Sequence, residues 1–123
     1  MGNEKQLIDR YVAVWNGVDS NSLESILSSN YVRHTTKGSG PANNLEELKK
    51  VIAALRLDVP DLKINVEDIL IKDNNAVFRW TSEGTDSGPG DFPPTNKPFT
   101  STGMTWIRFE MDVLLKNGQT LIN

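Results

Sequence analysis

The hydrophobic period of this chain changes at Pro60, and that change restricts the fold more than any other feature. Before it, apolar residues recur at helical spacing. Leu7, Ile8, Tyr11, Val12 and Trp15 form one stripe, opened by a capping pair Asn3/Gln6 and stopped by Asn16-Gly17. A shorter helix is expected after Asp19 or Ser20, with Leu23, Ile26 and Leu27 inward. Leu45, Leu48, Val51, Ile52 and Leu55 make a third stripe behind a second capping pair, Asn44/Glu47, and Pro60 marks its end.

Beyond Pro60 the period is two. Leu62, Ile64 and Val66 alternate with Lys63, Asn65 and Glu67, and the inward set restarts at Ile69 and Ile71. That slip of phase predicts a β-bulge near Glu67-Asp68. Asp73-Asn74-Asn75 reads as a turn. A strand over 76–85 follows, with Ala76, Phe78 and Trp80 on one face and Val77, Arg79 and Thr81 on the other. The stretch "DSGPGDFPPTNKP" is a loop, and residues 99–110 form another strand. The pattern predicts an α+β fold in a single domain over 1–123, with three N-terminal helices packed on one side of a strongly curved antiparallel β-sheet.

Composition removes several classes of chemistry. The chain has 123 residues, no cysteine, one histidine and a formal net charge of −3. Thiolate catalysis, disulfides and zinc–thiolate sites are excluded, and a lone histidine cannot build a multi-histidine metal site within one chain. No basic run or stripe suits nucleic acid, no apolar segment suits a membrane, and a cytoplasmic location is the default expectation. No metal or cofactor is expected. "SGPG" lacks the Lys-Ser/Thr and the helix start that a phosphate loop needs.

Several landmarks stand in a fixed order: "YVAVWNGVD", "YVRH", "ALRLDVPDLKINVED", "VFRWTSEGTDSG", "FPPTNKPFTSTGM" and "IRFE". Together they resemble the SnoaL-like family of polyketide-cyclase-related proteins, within the nuclear-transport-factor-2-like superfamily, over about residues 5–110. Asn96 stands where the family usually has Gly, a mild departure because Asn tolerates positive φ. The resemblance implies a cone-shaped fold with a largely apolar pocket between sheet and helices. It implies acid–base chemistry on a small apolar or aromatic carbonyl compound, in which a carboxylate removes a proton and polar groups hold the enolate. It also implies a homodimer formed through the exposed sheet face. A non-catalytic ligand-binding or dimerisation module is the competing reading.

His34 is the candidate catalytic residue, since the family often has a pocket histidine there and imidazole shuttles protons near neutral pH. Its alternative role is a hydrogen bond to the neighbouring loop. Tyr11, Trp15, Tyr31, Trp80, Phe92 and Trp106 are candidates to stack on a flat ligand, although Tyr11 and Trp15 also complete a core stripe. Trp106 shares strand parity with Met104 and Arg108, opposite Ile107 and Phe109. Such a face suits a mixed pocket, and an interface with a second subunit would look the same. Phe92 is either a pocket lid or a loop anchor. Asp61, Glu67 and Asp68 read as solvated or turn-stabilising.

The tail "MDVLLKNGQTLIN" departs from the resemblance. The family follows "RFE" with Asn-Gly or Asp-Gly, a closing strand, and a Trp-x-x-x-Asp whose aspartate is the cyclases' acid–base group. Methionine has the single codon ATG and both Asp codons begin GA, so the last base of Met111 with the first two of Asp112 reads GGA, glycine. The neighbouring bases yield Asn or Asp, and the remaining codons permit the family's ending. The tail therefore reads as frameshifted, with catalysis impaired by loss of that aspartate. The favoured expectation is that the strand from 99 runs past Glu110 and turns at Asn117-Gly118. The alternative keeps a turn at Met111-Asp112 and closes the sheet with 113–116.

Overall fold

A computed structural model describes residues 4–27, 31, 33–35, 42–88, 94–110 and 114–122. For 34, 35, 110 and 114–122 the description is of the backbone. The first apolar stripe forms helix α1 (Glu4–Trp15), which buries Leu7, Ile8, Tyr11, Val12, Val14 and Trp15. It ends as expected at Asn16-Gly17, where Gly17 takes φ +111°, a conformation costly for any residue with a Cβ. The short helix is a 3₁₀ helix, Ser20–Ser25, whose N-cap Asp19 accepts from the Asn21 N–H. Helix α2 (Leu45–Asp58) is capped by Asn44, which accepts from the Glu47 N–H at 2.9 Å. The Glu47 carboxylate reaches back to the Asn43 N–H at 2.9 Å, one residue earlier than the usual reciprocal bond. Asn3 lies outside the described residues.

Five strands form one sheet in the order β1-β5-β4-β3-β2: β1 (Arg33–Thr35), β2 (Lys63–Lys72), β3 (Asn75–Thr85), β4 (Pro98–Glu110) and β5 (Leu114–Ile122). The β2–β3 register shifts between Val66 and Asp68, so Glu67 is the bulge that the phase slip predicted. Asp73 and Asn74 both take positive φ, 52° and 64°. That is the tight hairpin geometry for which Asn and Asp are suited.

The strongly curved antiparallel cone is corrected by the structure. The sheet is open rather than closed or strongly curved, and β1 and β2 form its two edges. One edge pairing is parallel, Arg33 with Gly118 through Thr35 with Thr120. β1 also precedes α2, so the helices do not come as one N-terminal block. The physical reason lies at the edges. β1 has only three residues, too short an edge strand to carry the sheet round into a closed cone.

The favoured ending is corrected too. β4 stops at Glu110 and β5 returns antiparallel to it, with Asn117 opposite Arg108 and Gly118 opposite Ile107. Asn117-Gly118 is therefore mid-strand rather than a turn, and residues 111–113 lie outside the described residues. The alternative's turn at Met111-Asp112 lies outside the described residues, and the closing strand, Leu114–Ile122, is longer than 113–116.

Both helices pack on one face of the sheet. The core joins Leu7, Ile8, Tyr11, Val12 and Trp15 of α1 and Leu48 and Ile52 of α2 to Ala76, Phe78, Ile107 and Phe109 of the sheet. Burying each large apolar side chain contributes about 1.5–3 kcal/mol. Asn16 ties the end of α1 to β2, donating to the Ile64 carbonyl at 2.9 Å and accepting from the Ile64 N–H at 2.6 Å. Arg56 of α2 adds bonds to the carbonyls of Leu62 and Pro60. These bonds tie the ends of both helices to the start of β2 and the residues before it, and the cavity lies between the helices and the sheet.

Candidate functional site

The cavity has a volume of about 430 Å³, within the usual range for small-molecule sites. Tyr11, Val12 and Trp15 of α1 form one wall, and Val51, Ala54, Leu55 and Asp58 of α2 form another. The floor is Phe78, Trp80 and Ser82 of β3 with Ser101 and Thr105 of β4, and Leu62, Ile64 and Arg33 complete the lining. Strand alternation brings these floor residues together, because Phe78, Trp80 and Ser82 share one parity of β3.

The polar groups of the lining are few and grouped. Ser82 and Ser101 are register partners across β3 and β4, with hydroxyl oxygens 2.6 Å apart. The Trp80 indole N–H donates to Thr105 Oγ1 at 3.0 Å, which fixes the ring against the floor. The Tyr11 hydroxyl lies 2.9 Å from that of Tyr31, with the rings tilted at 53°. Trp15 meets Tyr11 edge-on with centroids 6.3 Å apart, and the Arg33 guanidinium sits 4.9 Å from the Trp15 ring centre. Arg33 is only 8% exposed. Burial holds the Tyr31 phenol well above its ordinary pKa and the Tyr11 hydroxyl adds to the rise, while the positive charge of Arg33 opposes it. Tyr31 is therefore a neutral phenol, able to donate or accept.

Of the candidates from the sequence, Tyr11, Trp15 and Trp80 line the cavity. Tyr31 stands behind Tyr11, is fully buried, and reaches the site through the paired hydroxyls. His34 lies on β1 with its backbone opposite Gln119, and its side chain is outside the described residues, as is Phe92. Met104, Trp106 and Arg108 are not brought to the cavity. They lie on the opposite face of β4, exposed, with Arg108 over the Trp106 ring at 5.0 Å and the Trp106 N–H donating to Asn75 Oδ1 at 3.0 Å. Their parity was legible, but which parity faced the helices was not. Ile107 and Phe109 take the inner face because they meet the core more completely.

Arg33, Asp58, Ser82, Ser101 and Thr105 line the cavity and were missed by sequence reasoning. A signal existed for four of them. Ser82 continues the parity of Phe78 and Trp80, and Ser101 and Thr105 continue that of Ile107 and Phe109, so polar residues interrupt an apolar row. Arg33 shares the period-two phase of buried Tyr31. Among the described residues no group of three His, Cys, Asp or Glu side chains is placed to hold a metal ion, and no helix is long and apolar enough to cross a membrane.

The sequence profile of the SnoaL-like polyketide cyclase family matches residues 5–114. No curated protein matches the sequence. Among solved structures, AclR from Streptomyces galilaeus is similar at 22% identity over 100% of this chain and 76% of its own, with a TM-score of 0.82. TsrD from Streptomyces laurentii is similar at 21% identity over 97% of this chain and 87% of its own, TM-score 0.81. A protein of Catenulispora acidiphila with a ketosteroid isomerase-like fold, solved with trimethylamine, is similar at 12% identity over 93% and 82%, TM-score 0.77. At these identities the likeness to the solved structures is one of fold.

Proposed function

The chain belongs to the SnoaL-like polyketide cyclase family, and from that premise we propose that it binds a small flat carbonyl compound in the cavity between α1, α2 and the sheet. The observation that carries the reading is the lining itself: aromatic walls from Tyr11, Trp15, Phe78 and Trp80 around a few hydroxyl groups. Aromatic faces take up a planar ligand, and hydroxyl donors polarise its carbonyl oxygen. The chemistry proposed is removal and return of a proton beside that carbonyl. His34 is the proposed shuttle, and Tyr11 is the proposed donor to the enolate oxygen.

Catalysis of this kind is proposed to be weak or absent, because the Trp-x-x-x-Asp of the family's ending has no counterpart after Glu110. We read the tail as frameshifted; the encoding DNA, with one base restored after the Glu110 codon, should translate to the family's ending, and any other translation ends that idea. For binding, thermal stability is followed with flat aromatic ketones, which should raise the melting temperature in a saturable way. No stabilisation by any of them would sink the proposal. Catalysis is read by deuterium wash-in at the carbon beside the carbonyl, which His34→Ala should abolish if His34 is the shuttle.

A second reading, an interaction module that dimerises, rests on one observation. Leu70, Met104 and Trp106 are 76%, 43% and 42% exposed on the sheet. Sedimentation of wild type and Trp106→Lys tests it; a wild-type monomer at high concentration would end it.

A further inference from the structure

We propose that the cavity selects ligands carrying an acidic oxygen, the carboxylate or ionised enol of a planar aromatic compound, and that Arg33 receives that oxygen. The inference rests on the binding proposed above and narrows its substrate class.

Arg33 and Asp58 are the charged side chains among the described lining residues. A cation removed from water costs free energy unless other groups compensate it. Here the Trp15 ring face supplies part of that compensation. An arriving anion supplies more, and a neutral ketone less, because hydrogen bonds between ionised partners are about twice as strong as neutral ones. A guanidinium has several N–H donors in a rigid fork, so a bond to the protein leaves others for a ligand.

The fork is also held in position. Arg33 pairs in parallel with Gly118 on one side. On the other it forms an antiparallel bridge to Ala42, with N–H to carbonyl distances of 2.7 and 3.0 Å. Its backbone is thus fixed by both neighbours and its side chain by Trp15, so little ordering remains to be done when a ligand binds.

The cavity has a direction as well. Arg33 comes from β1, at one edge of the sheet. Asp58 closes α2, where its carbonyl accepts from the Gly88 N–H just beyond β3. An anionic group is attracted by Arg33 and repelled by Asp58, whereas the serine pair between β3 and β4 is neutral and suits a carbonyl or hydroxyl further along the ligand. This arrangement orients the ligand with its acidic oxygen toward β1.

The test compares probes of similar shape by isothermal titration: naphthoate, hydroxynaphthoquinone in its ionised form, and acetylnaphthalene as the neutral ketone. At least one acid should bind about tenfold or more tightly than the ketone, the gain expected for one charge-assisted bond. Preference for naphthoate alone assigns a carboxylate, and preference for the quinone alone an enolate. Arg33→Met should abolish the preference, bringing the acids level with the ketone measured on the same variant. Asp58→Asn, made independently in case Arg33→Met does not fold, should tighten the acids relative to the ketone. Equal binding of ketone and acids to the wild type overturns the inference while leaving the binding proposal standing, as does a preference that survives Arg33→Met or an acid affinity that does not rise relative to the ketone in Asp58→Asn. Binding of none of the probes overturns both.

Discussion

Replacing Tyr31 by Phe removes one oxygen from the centre of the molecule, and the structure sets the size of the effect. That oxygen lies 2.9 Å from the Tyr11 hydroxyl, and the two residues are 1% and 4% exposed. A typical buried hydrogen bond contributes about 1 kcal/mol net, and a partner left without a bond costs about 1–3 kcal/mol. Tyr11 borders the cavity, which leaves its side chain some room to adjust, and the expected loss is about 1–2 kcal/mol. Unfolding entropy of about 2.1 cal/mol/K per residue gives roughly 0.26 kcal/mol/K for this chain, so the melting temperature should fall by about 4–8 °C. Tyr11→Phe should cost a similar amount, for the same reason. The double variant leaves neither hydroxyl stranded and should cost less than the sum of the two, by about 1 kcal/mol. Urea unfolding of all four proteins gives the cycle. Strict additivity would refute the claim that the two hydroxyls bond to each other.

Other perturbations test the frame around the cavity. Asn16→Ala removes both bonds to Ile64 and should cost about 1–3 kcal/mol in urea unfolding; Asn16→Asp, which still accepts from the Ile64 N–H, should cost less. Gly88→Ala would place a methyl group 1.5 Å from the Leu57 carbonyl oxygen. The loop must lift, the bond from the Gly88 N–H to Asp58 is lost, and the melting temperature should drop together with affinity for any ligand that touches Asp58. The raised pKa of Tyr31 makes an alkaline prediction, because the folded state holds the phenol's proton more tightly than the unfolded chain does. Its contribution is complete below the ordinary value of 10.0 and is lost as pH rises toward the folded value. Wild type should lose stability above that pH, and Tyr31→Phe should lack that component in equilibrium unfolding.

Features set by local backbone chemistry were legible in the sequence. The Pro60 change of period, the Asn44 cap, the Glu67 bulge and the 73–74 turn all follow from residues within a few positions of the feature. Asn96, standing where Gly is usual, does take a positive φ of 59°. What was not legible depends on partners distant in the chain. A strand of three residues has too little pattern to read, and β1 exists because β5 lies beside it, more than eighty positions later. Trp106 was drawn toward the pocket by its size, although the exposed row of β4 carries it and the smaller Ile107 takes the core. Arg33 was passed over because charge alone predicts exposure, and only the tertiary fold puts its guanidinium on Trp15.

The unusual tail bears on the site through the sheet rather than through its side chains. β5 is not an edge strand, since it lies between β4 and β1. Pairing in a sheet uses backbone N–H and carbonyl groups, so a tail of changed sequence can keep the strand if its residues accept extended geometry. Leu114, Leu115, Thr120, Leu121 and Ile122 meet that condition, and Asn117 and Gly118 are carried through it. Without β5, the Arg33–Gly118 pairing disappears and β1 loses its place on the sheet. The Ala42 bridge alone would then hold Arg33. Cutting the chain after Glu110 should therefore remove the acid preference proposed for the cavity even if α1, α2 and β2–β4 still fold. β5 thus bears on where Arg33 stands through its backbone pairing, whatever side chains the strand carries.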